Sequence, residues 1–128
     1  MKALLDTNVF LWLNDEPERL GDAIDRLSEP ETLILVSAVV SWEIAIKYAI
    51  GRLQLPLPPE RYMPERIGDI GASSMVIEHR DALGVAALPP IHRDPFDRLL
   101  VAQAINHSAT LITTDPRLGE YPVDALVV

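Results

Sequence analysis

The sequence predicts an α/β fold built on a parallel sheet, in a single domain spanning residues 1–128. Three observations carry that prediction. Short apolar runs of strand length alternate along the chain with stretches of helical periodicity. The run Leu33-Ile34-Leu35-Val36 is continuously apolar, the pattern of a strand covered on both faces. Hydrophobic residues make up 48% of the 128 positions, enough for one substantial core and too many for a disordered chain.

The first strand is Lys2-Ala3-Leu4-Leu5, which stops on Asp6-Thr7-Asn8 and passes without a loop into Val9–Leu13. That second run is apolar on nearly every face, which suits a buried core helix or an interface. The turn cluster Asn14–Pro17 closes it. Leu20, Ile24 and Leu27 recur at helical spacing and predict one amphipathic helix over Glu18–Ser28, which Pro30 ends. After the Leu33 strand, Ser37 caps a helix running through Val40, Glu43, Ile44 and Tyr48 to a stop at Gly51. Pro56, Pro58 and Pro59 stiffen a connector. A helix over Tyr62–Ile70, a strand at Met75–Ile77 and a short helix over His79–Ala87 follow. The best-marked helix has Asp94 as N-cap and Pro95 at its first position, with Leu99, Leu100, Ala102 and Ile105 behind. Thr110–Thr113 is the next strand, and Ala125–Val128 adds an edge strand.

Composition narrows the function classes. The net charge is −8, from 11 basic and 19 acidic residues, which argues against purely electrostatic binding to phosphates. It suits clustered acids that hold divalent cations, with the cations meeting the phosphates. The absence of cysteine removes disulfides and thiolate metal sites. No apolar run reaches the roughly 18 residues of a membrane span. Met1-Lys2 leads directly into the first strand, so no signal peptide is expected, and a cytoplasmic location is compatible with all of this.

Right-handed crossovers would put the carboxyl ends of all parallel strands along one edge. That edge receives Asp6 after the first strand, Ser37 after the second with Glu43 one to two turns beyond it, and Thr114-Asp115 after the Thr110 strand. Connectivity assigns the start of the Asp94 helix to the opposite end, unless the Leu88–Arg93 loop bends it back. Four acids stand out: Asp6, Glu43, Asp97 and Asp115, with Asp94 as a possible fifth. Each has an ordinary role open to it. Asp6 and Asp94 can cap helices, Glu43 can pair with Lys47 at i, i+4, Asp97 can face a helix dipole, and Asp115 before Pro116 can shape a turn. Gathered together, however, carboxylates raise one another's pKa and call for a cation or protons. Hard oxygen ligands suit Mg²⁺ or Mn²⁺ better than zinc, the layout of metal-assisted phosphodiester hydrolysis.

Four segments carry a family resemblance: Leu4-Leu5-Asp6-Thr7-Asn8, Ser37–Lys47 with Ser41-Trp42-Glu43-Ile44, His92-Arg93-Asp94-Pro95-Phe96-Asp97-Arg98 through Ala104, and Leu111-Ile112-Thr113-Thr114-Asp115. In order and spacing, over essentially the whole chain, they resemble PIN-domain ribonucleases, the VapC toxins of bacterial type II toxin–antitoxin modules. The resemblance implies a three-layer α/β/α sandwich and a Mg²⁺-dependent endoribonuclease in which Mn²⁺ can substitute. It makes Asp6 and Asp97 the direct metal ligands, with Glu43 and Asp115 completing the quartet through water or a second metal. Thr7 or Thr114 would position a ligand or a water, and Asp94 would cap its helix or serve as an outer acid. It requires the Asp94 helix to begin at the site. It also implies an RNA substrate, an antitoxin partner and a homodimer. Lys47, Arg98 and Arg117, with Arg52 and Arg93, are candidate groove cations, although solvated surface charge is the ordinary role of each. His92 reads as a loop residue. Trp42 reads as core, with base stacking a lesser option.

The sequence leaves two rival readings. A phosphatase or phosphotransferase that uses the aspartate after strand one usually has a second acid two residues on, and here that position is Asn8. A non-catalytic scaffold of the same fold has no reason to keep a quartet of mutually repelling acids.

Overall fold

A computed structural model describes residues 1–128. Five strands, β1 (Lys2–Leu5), β2 (Leu33–Ser37), β3 (Ser73–Met75), β4 (Thr110–Thr113) and β5 (Ala125–Val127), form one all-parallel sheet in the order β3-β2-β1-β4-β5. Ala3, Leu4 and Leu5 of β1 are fully buried. Successive side chains of a strand point to opposite faces, so both faces of the sheet are covered by helices in a three-layer α/β/α sandwich. The chain steps outward from β1 to β2 and β3, then returns to add β4 and β5 on the other side of β1. That reversal opens a crevice at the carboxyl ends of β1 and β4, where sheets of this kind place ligands.

The helices are α1 (Thr7–Asp15), α2 (Ala23–Leu27), α3 (Ala38–Ala49), α4 (Pro59–Asp69), α5 (His79–Gly84) and α6 (Pro95–Asn106). No helix is long and apolar enough to cross a membrane. Helix α1 buries Val9 and Phe10 completely and half-buries Leu11, Trp12 and Leu13, with the Arg19 guanidinium 3.8 Å above the Trp12 ring. Three N-caps open at the crevice: Asp6 for α1, Ser37 for α3 and Asp94 for α6, each accepting a backbone N–H of its own first turn.

The position of α6 corrects the expectation drawn from connectivity. A crossover helix runs antiparallel to the strands it joins. A helix that leads into β4 therefore ends at the amino edge of the sheet and starts at the carboxyl edge, with no bend required.

Two elements differ from their predicted bounds. The expected Glu18–Ser28 helix is a 3₁₀ turn at Pro17–Leu20 followed by the short α2. The break falls at Gly21, whose φ of 56° is left-handed backbone that glycine alone adopts cheaply. Strand β3 lies two residues earlier than the apolar run Met75–Ile77, because pairing with β2 sets its register (Leu35 opposite Ser73, Ser37 opposite Met75). Val76 is left 69% exposed beyond it.

A buried polar bridge locks α6 to the α3 cap. Gln103 is fully buried on α6 and accepts the Ser37 hydroxyl at 2.5 Å. Its amide donates to the Val76 carbonyl at 3.1 Å and to buried Asp81 at 3.4 Å. A buried polar group that loses its partner costs about 1–3 kcal/mol. Gln103→Leu should therefore lower stability by about 2–4 kcal/mol, read from the urea midpoint. The Ser37→Ala, Gln103→Leu double variant should lose less than the sum of the single variants. Strict additivity would show that the two side chains do not interact.

Candidate active site

At the crevice lies a cavity of about 210 Å³ lined by 11 residues, none of them hydrophobic. Asp6, Thr7 and Asn8 come from the β1–α1 junction, and Glu43 and Lys47 from α3. His92, Asp94 and Asp97 come from the entry to α6, and Thr114, Asp115 and Arg117 from the exit of β4. The structure thus brings together all four predicted acids, Asp94 and both auxiliary threonines.

The acids differ in how far their oxygens are already engaged. A carboxylate offers about four acceptor positions. Asp6 has three filled, by Val9 N–H at 2.8 Å, Thr113 Oγ1 at 2.6 Å and Thr114 N–H at 3.1 Å. Burial raises its pKa despite these bonds. Glu43 is buried and has two filled, by Thr7 Oγ1 at 2.6 Å and Lys47 Nζ at 2.5 Å. Asp115 has all four filled: Arg117 N–H and Nε–H on Oδ1, Arg117 Nη2 and His92 Nε2 on Oδ2. The bonds from Arg117 hold its carboxyl down at about 2. Asp94 caps α6 with Oδ1, and no donor approaches Oδ2. The Asp97 carboxylate accepts no hydrogen bond at all. Burial first, then the charges of Asp94, Asp6, Glu43 and Asp115, push its pKa up to about 7.

With that geometry in view, comparison with known proteins decides the family. The PIN domain family model matches residues 3–123. The chain belongs to the PIN-domain family. It is 33% identical over 121 residues to Ribonuclease VapC22 of Mycobacterium tuberculosis, covering 92% of this chain and 90% of that protein, which places it with the VapC proteins. Ribonuclease VapC16 of the same organism is 34% identical over 67 residues, 49% of this chain and 48% of that protein. A solved structure of VapBC2 from Rickettsia felis bound to a promoter DNA fragment superposes with a TM-score of 0.75 at 15% identity, over 99% and 98% of the two chains. At that identity the likeness shows the fold.

The donor set of this PIN domain fits a hard divalent cation. It is made of carboxylate oxygens, and Asp97 is both unsatisfied and electrostatically strained, the condition a cation would relieve. One assignment needs adjustment. Arg98 is not brought to the cavity: its guanidinium donates to the carbonyls of Pro89 and Val85 at 2.9 and 3.1 Å and to Tyr121 Oη at 3.2 Å, which shapes the loop before α6. Lys47 and Arg117 do line the cavity, each already paired with an acid. Exposed Arg93, between His92 and Asp94 in the chain, makes no ion pair.

His92 is the residue that sequence reasoning passed over. Its ring is 11% exposed and its Nε2 lies 3.0 Å from Asp115 and 3.5 Å from Asp97. The available signal was its place two residues before an N-cap aspartate, in the segment that carries the family resemblance. Trp42 is not core: it is 51% exposed and packs edge-on against Phe96 with ring centroids 4.8 Å apart.

The Asp97 pKa yields a stability prediction with a definite sign. The folded value of about 7 lies above the ordinary value of 3.8, so the folded chain holds the extra proton between them. Metal-free stability should therefore fall as pH rises through that window and level off above it. Melting curves in chelator at about pH 5 and about pH 8 should show this fall in the parent and much less of it in Asp97→Asn. At the higher pH the variant should be at least as stable. A less stable variant would mean that favourable placement at the α6 N-terminus outweighs the repulsion.

Proposed function

We propose that this chain is a Mg²⁺- or Mn²⁺-dependent endoribonuclease acting as the toxin of a toxin–antitoxin pair. The observation that carries the reading is the wholly polar cavity at the sheet's switch point, lined both by a strained, hydrogen-bond-free Asp97 and by a nearly saturated Asp6. The names of the VapC relatives support ribonuclease activity.

Asp6 and Asp97 would hold the ion, Asp6 through its one remaining acceptor position and Asp97 through its free oxygens. When bound there, a divalent cation supplies Lewis acidity to a phosphodiester and to an attacking water. The other residues position and neutralise. Glu43 keeps two acceptor positions for orienting water, and the Thr7 hydroxyl fixes one of its oxygens. Asp115, saturated by Arg117 and His92, acts as an outer acid. Asn8 donates to Thr114 Oγ1 at 3.3 Å, and the Thr114 N–H holds Asp6. Arg93, which makes no ion pair, is the cation proposed to meet an RNA backbone, whereas Lys47 and Arg117 are committed to Glu43 and Asp115. A phosphoryl-accepting role for Asp6 fits poorly with the three donors already on its carboxylate.

The antitoxin partner and a homodimer belong to the same proposal. Several structural neighbours are VapBC complexes, and α3 with its C-cap leaves Trp42, Ile46 and Ile50 exposed at i, i+4, i+8. Co-purification with the product of an adjacent gene tests the partner.

Cleavage of single-stranded RNA should require Mg²⁺ or Mn²⁺ and fall by about 10²-fold or more in Asp6→Asn and in Asp97→Asn. Cleavage that survives both substitutions would remove these residues from the reaction. Saturating Mg²⁺ should raise the melting temperature of the parent by mass action, and that of either variant far less.

A further inference from the structure

We propose that His92 is a positioning residue of the acidic site, donating to Asp115 while being withheld from the cation; the proposal rests on the metal-dependent reading above. Both ring nitrogens are engaged. Nδ1 lies 3.0 Å from the backbone nitrogen of Asp94, a group that can only donate. A neutral imidazole that accepts at Nδ1 carries its proton on Nε2. That Nε2–H donates to Asp115 Oδ2 at 3.0 Å and has Asp97 Oδ2 within 3.5 Å. The backbone carrying the ring is fixed at both ends: its N–H donates to Tyr121 Oη at 2.9 Å and its carbonyl accepts from Arg98 Nη1 at 3.4 Å.

The consequence concerns which cation the site accepts. The nearest ligand atoms of His92, Asp97 and Asp115 all lie within 4.8 Å of one another, and an imidazole beside two carboxylates is by composition a good transition-metal or zinc site. The Asp94 N–H closes that option. To present a lone pair at Nε2, the ring would need a proton on Nδ1, pointed at another N–H. His92 therefore supplies a donor in place of a ligand atom. It completes the saturation of Asp115 and leaves an all-oxygen set at Asp97 and Asp6, the preference of Mg²⁺ and Mn²⁺. Groups around the direct ligands, here His92 and the outer acid Asp115, tune the affinity of a metal site without touching the ion.

Two substitutions separate the two ring functions. Gln places an amide N–H near the Nε2 position, and Asn places a carbonyl oxygen near the Nδ1 position. Nitrogen-15 NMR of the metal-free parent should show Nε2 protonated and Nδ1 unprotonated. Mn²⁺ titrations followed by electron paramagnetic resonance should give His92→Gln an affinity within about threefold of the parent, and His92→Asn one weaker by about tenfold or more. A protonated Nδ1, or equal effects of the two substitutions, overturns the positioning role. A parent that takes up no Mn²⁺ overturns the metal-dependent reading and the role with it, and is told apart because all three proteins then fail alike.

Discussion

The Asp6 carboxylate is a buried charge at the junction of the two central strands, and much of the site follows from how that charge is satisfied. Its backbone N–H extends the sheet ladder to Ile112 at 2.9 Å, while its side chain takes the α1 N-terminus, the Thr113 hydroxyl and the Thr114 N–H. The Thr113 hydroxyl in turn accepts the N–H of Asp115 at 3.0 Å. One carboxylate thus fixes the start of α1, the exit of β4 and, through a single hydroxyl, the backbone of a second site acid. A buried carboxylate without such donors would be prohibitively costly. With them, its burial couples the position of Asp115 to the register of β1 against β4.

Around this fixed point the acids are graded by hydrogen bonding. Asp115 is saturated and held at about 2, whereas Asp97 is bare and raised to about 7, although both line one cavity. The difference lies in their partners. Arg117 and His92 converge on Asp115, whereas the nearest groups to Asp97 include four other carboxylates. Helix α6 holds Asp97 in that position through the Asp94 cap beside it and through two features further away, the buried Ser37–Gln103 bridge and Arg98 holding the preceding loop. Moving the Asp97 backbone away from the site would mean breaking several of these hydrogen bonds.

Much of this was legible in the sequence because it depends on patterns that survive without coordinates. Continuous apolar strands announced a parallel sheet, and a parallel sheet implies a single edge for Asp6, Glu43 and Asp115. The Asp94-Pro95 cap marked α6 to the residue. What the sequence hid depends on direction and side-chain pairing. The position of Asp97 followed from the antiparallel course of a crossover helix, which the reading by connectivity had inverted. Arg98 sits in a motif beside Asp97 yet faces backbone carbonyls. His92 looked like a loop residue because its importance comes from two hydrogen bonds, one of them to a residue 23 positions away.

The charge balance gains a local meaning from this arrangement. The cavity holds five carboxylates, those of Asp6, Glu43, Asp94, Asp97 and Asp115, against Lys47 and Arg117. Both cations are already paired with an acid of the site, so neither offers an uncommitted charge to a phosphate. A polyanion approaching such a cavity meets repulsion at short range, where salt screens least. On the proposed reading, the divalent cation therefore serves recognition as well as chemistry, because it offsets much of the negative charge around Asp97. An excess of acids across the whole chain is compatible with a nucleic-acid substrate under that condition. Without the cation, the cavity acids would repel it.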